Sequence, residues 1–156
     1  MAGFEVNISM DPDRFLAAIA DWSEQVRIQG HLGSLDAAEF IKELVQEKLS
    51  LFPHPRNEPT PSVEFVDPPG LVTGRLRDSI VIEQTALIDY VKVYPTAVYA
   101  RIQELGGWTG HHTLTYIPSR PYFLNTVQEL DTTGPGGMEH IYYEHWERAQ
   151  RHALLV

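Results

Sequence analysis

The chain contains no cysteine, which excludes disulfides, thiolate metal sites and a cysteine nucleophile. It also lacks a basic segment. Of the formal net charge of -9, residues 1–70 hold seven negative charges, with five Lys/Arg against twelve Asp/Glu. Residues 71–94 balance at three against three, and residues 95–156 carry four against six. Binding driven by nucleic-acid phosphates is therefore not expected, although an acidic wall lets DNA pass without sticking. Apolar runs long enough to span a membrane are missing too. The opening MAGFEVNISMDPDRF has no basic stretch followed by an apolar core, so no signal peptide is expected there. The protein is expected to be made and used in solution.

The common catalytic signatures are also missing. There is no G-x-S-x-G elbow, no S-x-x-K, no H-E-x-x-H, no G-x-G-x-x-G and no P-loop. Gly134-Pro135-Gly136-Gly137 contains a proline and follows no strand, so it reads as a linker. Seven histidines invite a metal hypothesis. His111 and His112 are adjacent, which on a strand sends them to opposite faces. His140 and His145 are five apart, which is not a shared helical face. His145 and His152, seven apart, can share one, with Glu144 and Glu147 nearby. The plainer reading is surface histidines on a polar helix. The sharper one is a small metal-dependent hydrolase using Glu144, His145 and His152, which stoichiometric bound zinc would support. No catalytic, cofactor or metal residue is nominated, and no cofactor is expected.

What is present is the balance of an ordinary soluble globular domain, with 43% apolar and 21% charged residues in 156. Asp11-Pro12 starts a helix, with Asp as N-cap and Pro at the first helical position. Phe15, Ile19, Trp22 and Val26 then form one apolar stripe, and Gly30 is placed to end it. Ser34 is placed to cap a second helix, whose apolar face runs through Ile41, Leu44, Val45, Leu49 and Phe52. The two form a hairpin or one bent long helix, and their stripes are expected to cover a sheet. Six of the eleven prolines fall in Pro53–Pro69, which makes a stiff extended connector, interrupted by a short strand at Val63–Val66. Ser79–Thr85 and Tyr90–Tyr94 read as an antiparallel pair, with Val91 and Val93 facing one way and Tyr90, Lys92 and Tyr94 the other. Thr96 is placed to cap a short helix carrying Val98, Ile102 and Leu105 and ended by Gly106-Gly107. Thr113–Ile117 reads as a strand, Pro121–Leu130 as a helical turn and Met138–Leu155 as a last helix. Trp108, Tyr116, Tyr142, Tyr143 and Trp146 read as core or interface aromatics.

This order predicts a single α+β domain over residues 1–156, with amphipathic N-terminal helices packed on an antiparallel β-sheet, a short helix between strands and a C-terminal helix. Its parts are a helical section (1–52), the proline-rich connector (53–69), a sheet core (70–130) and a C-terminal helical extension (131–156).

Three short blocks stand out together. They are Thr73-Gly74-Arg75-Leu76-Arg77-Asp78-Ser79-Ile80, then Tyr94-Pro95-Thr96-Ala97-Val98-Tyr99-Ala100-Arg101-Ile102-Gln103-Glu104-Leu105-Gly106-Gly107, then Ile117-Pro118-Ser119-Arg120-Pro121-Tyr122-Phe123-Leu124. Gly74 permits a tight turn that launches a strand, and Gly106-Gly107 supplies positive φ and close backbone approach. Pro118 and Pro121 bracket Arg120 and hold it extended. A guanidinium held in this way is a good ion-pair donor within or between subunits, with Glu104 as the partner to expect. In order and spacing the blocks resemble the neck or tail-completion proteins of tailed bacteriophages, the virion morphogenesis and head–tail connector proteins of long-tailed phages. The resemblance covers roughly residues 35–130. The long proline-rich connector and the extra C-terminal helix depart from the pattern.

The resemblance implies a non-enzymatic structural virion protein. Such a protein forms a ring, expected to be hexameric, at the head–tail junction, where it completes or terminates the tail. Its partners would be further copies of itself, the adjacent neck and connector proteins and the tail tube, with DNA only as passing cargo and no membrane. It would be made in the host cytoplasm and reside in the virion. Gly74, Arg75, Arg77, Tyr99, Glu104, Gly106, Gly107 and Arg120 are the expected interface or structural-motif residues. The proline-rich connector and the two termini are candidate docking arms. A small partner-binding adaptor outside any virion is a third reading.

Overall fold

The computed structural model describes residues 11–56, 68–85, 90–111, 114–130 and 136–153. The first element is one unbroken helix, α1, Pro12–Lys48. Its start is as expected: the Asp11 carboxylate accepts the Asp13 N–H at 3.0 Å, with Pro12 in the first position. Gly30 does not end it, and Ser34 does not restart it. The Ser34 hydroxyl donates back to the Gly30 carbonyl at 3.0 Å, four residues behind, as a helix-interior serine does. Gly33 sits where the rings of Tyr142 and His145 come closest. Gly33 therefore marks a packing point, and Gly30 sits within the helix without a close neighbour and without breaking it. A helix of this length spans about 55 Å.

After α1 the chain turns back on itself. The N–H of His54 meets the Leu71 carbonyl at 3.0 Å and the N–H of Leu71 meets the Phe52 carbonyl at 2.8 Å, so the two ends of the proline-rich connector lie side by side. The strand expected at Val63–Val66 lies outside the described residues. Gly74, at φ 74°, then leads into a four-residue helix, α2, Arg75–Asp78, and the first strand follows it.

β1, Ile80–Gln84, pairs antiparallel with β2, Val91–Pro95, in the register Ile80 to Pro95 and Ile82 to Val93. In β2 the alternation is as expected, with Val91 and Val93 shielded and Lys92 and Tyr94 exposed. Thr96 does not cap the next helix. Its hydroxyl and its N–H both donate to the Ser79 carbonyl, at 3.1 and 2.9 Å, so it ties the end of β2 to the start of β1. The helix α3 begins later, at Ala100–Leu105. Gly107–Thr109 forms an unforeseen strand, β3, which pairs with β4, Thr115–Ile117, so among the described residues the sheet content is two small hairpins and not one sheet. The Trp108 and Tyr116 rings meet edge to face across this second hairpin, 5.3 Å between centroids. Two helices complete the chain, α4 (Tyr122–Gln128) and α5 (Met138–Ala153). The fold is α+β, as the element order implied.

The core sits at the C-terminal end of α1. Val45 of that helix and its C-cap residue Leu49 close on Leu76, Ile80, Ala100 and Tyr122. The β1–β2 hairpin thus packs on the second half of α1 only. α5 runs instead along the middle of α1, from Asp36 back to Asp21: His145 reaches Asp36 and Gln29, and His152 reaches Asp21. Order along α5 is reversed along α1, so the two helices run antiparallel. Phe15, Ile19 and Trp22, expected under the sheet, remain 46%, 45% and 38% exposed. The stripe is real, but the sheet is too small and too far along the rod to reach it.

Candidate functional site: the junction of three sequence blocks

Four of the six core side chains belong to the three sequence blocks: Leu76 and Ile80 to the first, Ala100 to the second and Tyr122 to the third. The junction is held by backbone as well as by apolar contact. The Arg120 N–H donates to the Gln103 carbonyl at 2.8 Å, and the Ser119 hydroxyl donates to the Glu104 carbonyl at 2.7 Å. The Gln46 amide of α1 donates to the Arg77 carbonyl at 3.2 Å. Burial pushes the Tyr122 phenol above its ordinary range, and the neighbouring Glu104 and Tyr99 push it the same way.

Gly106 shows why the second block ends as it does. It lies at φ 71°, where a side chain is strained, and a β-carbon there would stand 2.6 Å from the Ser119 nitrogen and 3.0 Å from the Ile117 oxygen. The second and third blocks touch backbone to backbone at this point. Gly107 also has positive φ, at 137°, but faces open space. Gly74 combines both demands, with φ 74° and a virtual β-carbon 3.0 Å from the Arg77 guanidinium.

Glu104 has partners that were not expected. Its two carboxylate oxygens accept the N–H groups of Phe123 at 3.0 Å and Leu124 at 2.8 Å. Those are orphan amides in the first turn of α4, whose N-cap, Pro121, has no side chain able to satisfy them. Glu104 is thus a capping group supplied from another helix.

Six of the eight expected site residues line two depressions, and Gly106 and Gly107 line neither. Gly74, Arg75, Arg77, Tyr99 and Arg120 line a cleft of about 200 Å³ beside Pro69 and Gly70. Within it the Arg77 guanidinium is bonded to Asp78 at 2.7 Å, which holds its pKa above the usual arginine value. Glu104 instead floors a wider apolar groove of about 510 Å³ between β2, α3 and α4, rimmed by Val98, Leu105, Leu124 and Val127. Arg101 is the other charged side chain on its lining.

The C-terminal histidines do not behave as surface groups throughout. His145 is only 4% exposed, and its two ring nitrogens lie 2.9 Å from Gln29 Oε1 and 2.9 Å from Asp36 Oδ2. His152 faces Asp21 at 3.3 Å. Glu144 points elsewhere, to Arg148 at 3.2 Å and His140 at 3.3 Å. Among the described residues no group of three or more His, Cys, Asp or Glu side chains is gathered to hold a metal ion. The seven-residue spacing of His145 and His152 was the available signal for a helix contact, because it puts both on one face of α5.

No described helix is long and apolar enough to cross a membrane. Comparison with protein-family models, curated proteins and solved structures finds no match to this chain.

Proposed function

We propose that this protein is a structural subunit of a tailed-phage virion, assembling as a ring at the head–tail junction, where it completes the tail and joins it to the capsid connector. The observation that carries the proposal is the amount of large apolar side chain left open to water. Phe15, Leu16, Ile19 and Trp22 on α1 and Tyr142, Tyr143 and Trp146 on α5 are all exposed. So are Val98, Leu105, Leu124 and Val127 around the groove, and Trp108, Leu114 and Tyr116 on the second hairpin. A solitary soluble domain rarely leaves so many such residues uncovered in groups, whereas an assembly subunit needs them.

The three-block order supports the same reading from the sequence side. In the structure the blocks do mechanical work: they supply most of the core, a forced glycine contact and a helix cap. The ring is expected to be hexameric, with neighbouring neck proteins and the tail tube as its other contacts and DNA in its channel. The acidic balance, -9 overall, suits a channel that DNA must traverse without being held. Negative-stain microscopy of the purified protein tests the reading. Closed rings of uniform diameter support it, and particles no larger than a 17.7 kDa monomer at every concentration refute it.

A further inference from the structure

The stripe on α1 and the groove between β2, α3 and α4 lie far apart on the molecule. Ile19 lies near one end of α1, and the floor of the groove, Ala100 and Tyr122, packs on Val45 and Leu49 near the other. The rise of a helix puts about 40 Å between them. A continuous helix does not fold back over that distance, so the stripe of one chain cannot fill its own groove.

Their shapes and charges nevertheless match. Phe15 and Ile19 follow at a spacing of four, the pattern by which an amphipathic helix seats its anchors in a groove, while Trp22, three residues on, is held against Trp146 of its own chain. The tip of α1 is acidic, with Asp11 and Asp13 against the single cation Arg14. Two charged side chains stand on the groove lining: the half-buried Glu104, whose oxygens accept the Phe123 and Leu124 amides, and the exposed Arg101, which is the one open to an incoming acidic helix end. Val98, at 99% exposure, stands on the groove's rim with nothing over it.

We infer that the exposed N-terminal end of α1, around Phe15 and Ile19, docks in the β2–α3–α4 groove of a second copy of this chain. The contact is head-to-tail, with a different surface used on each side. Contacts of that kind propagate around a circle and close into a ring when the rotation is right. This assignment rests on the ring reading above and adds which two faces make the joint.

Two variants test it. One, Phe15→Glu with Ile19→Glu, spoils the stripe and keeps the groove. The other, Val98→Glu with Leu124→Glu, spoils the groove and keeps the stripe. Native mass spectrometry is run on each alone, on the equimolar mixture and on the unaltered chain, with circular dichroism and thermal melting to confirm folding. Val98→Glu alone is a reserve variant, since that side chain touches almost nothing. The expected result is an assembling parent, two monomeric variants and a mixture that forms a one-to-one dimer and stops there. If the parent assembles and either variant still assembles as the parent does, or if the mixture stays monomeric, the inferred joint is wrong while the ring reading stands. A groove variant that dimerises by itself would show a stripe-to-stripe contact and also overturns it. A parent that never assembles removes the ring reading and this joint together.

Discussion

Gly106 stands so close to Ser119 that a β-carbon on the glycine would lie 2.6 Å from the serine's backbone nitrogen. Backbone cannot swing aside as a flexible side chain does, and φ 71° adds strain for any other residue. Gly106→Ala is therefore expected to cost roughly 3 kcal/mol and to lower the melting temperature clearly. Gly107→Ala meets no atom and incurs the φ strain alone, so it should cost less. Equal melting temperatures for the two variants would contradict the contact.

Two glycines within α1 should respond with opposite signs. Nothing lies within 4 Å of a β-carbon built on Gly30, so Gly30→Ala should stabilise the chain by roughly 0.5–1 kcal/mol through helix propensity. At Gly33 the added methyl would meet the Tyr142 ring at 3.1 Å and the His145 ring at 3.2 Å, so Gly33→Ala should push α5 away and destabilise. Thermal denaturation of both variants checks the pair. A stabilising Gly33→Ala would mean that α5 does not pack where the structure puts it.

Glu104 caps α4 from outside. Glu104→Ala leaves two first-turn amides without their acceptor and should cost about 1–2 kcal/mol. Hydrogen exchange should show the loss locally, at the Phe123 and Leu124 amides, before it appears in global stability. If Arg120→Ala produced the same local signature and Glu104→Ala did not, the capping assignment would fail.

Trp22 and Val45 separate the two halves of α1. Val45 is fully buried in the core, so Val45→Ala should cost roughly 2 kcal/mol. Trp22, despite its size, is 38% exposed and meets the Trp146 ring edge to face at 6.2 Å. Trp22→Ala should cost only about 1 kcal/mol. Chemical denaturation of both variants measures the difference, and a larger loss at Trp22 would place the main core at the wrong end of the helix.

The elements were legible in the sequence where local chemistry decides them. Asp11-Pro12 marked a helix start because a cap and a ring-fixed φ act within one turn. The β1–β2 pairing and the facing of Val91 and Val93 followed from period-two alternation. What was not legible depended on partners distant in the chain. Gly30 and Ser34 look like a stop and a start, yet α5, more than a hundred residues later, packs across that point. The stripe of Phe15, Ile19 and Trp22 announced an apolar face without saying what would cover it, and the sheet proved too narrow to do so. At the block junction the glycines were readable, because positive φ leaves a mark in composition. The amide partners of Glu104 were not, because backbone amides carry no residue-type signal. His145 was readable only in part: its spacing to His152 gave the face, and nothing in α5 revealed Asp36 opposite.

The proposed place of this chain in a phage-neck ring is tested most directly by electron cryo-microscopy of a virion's head–tail junction. The account predicts a closed ring of density around the DNA channel into which the 37-residue helix α1 and the block junction fit without rebuilding. A virion whose neck density is complete without this chain would contradict it.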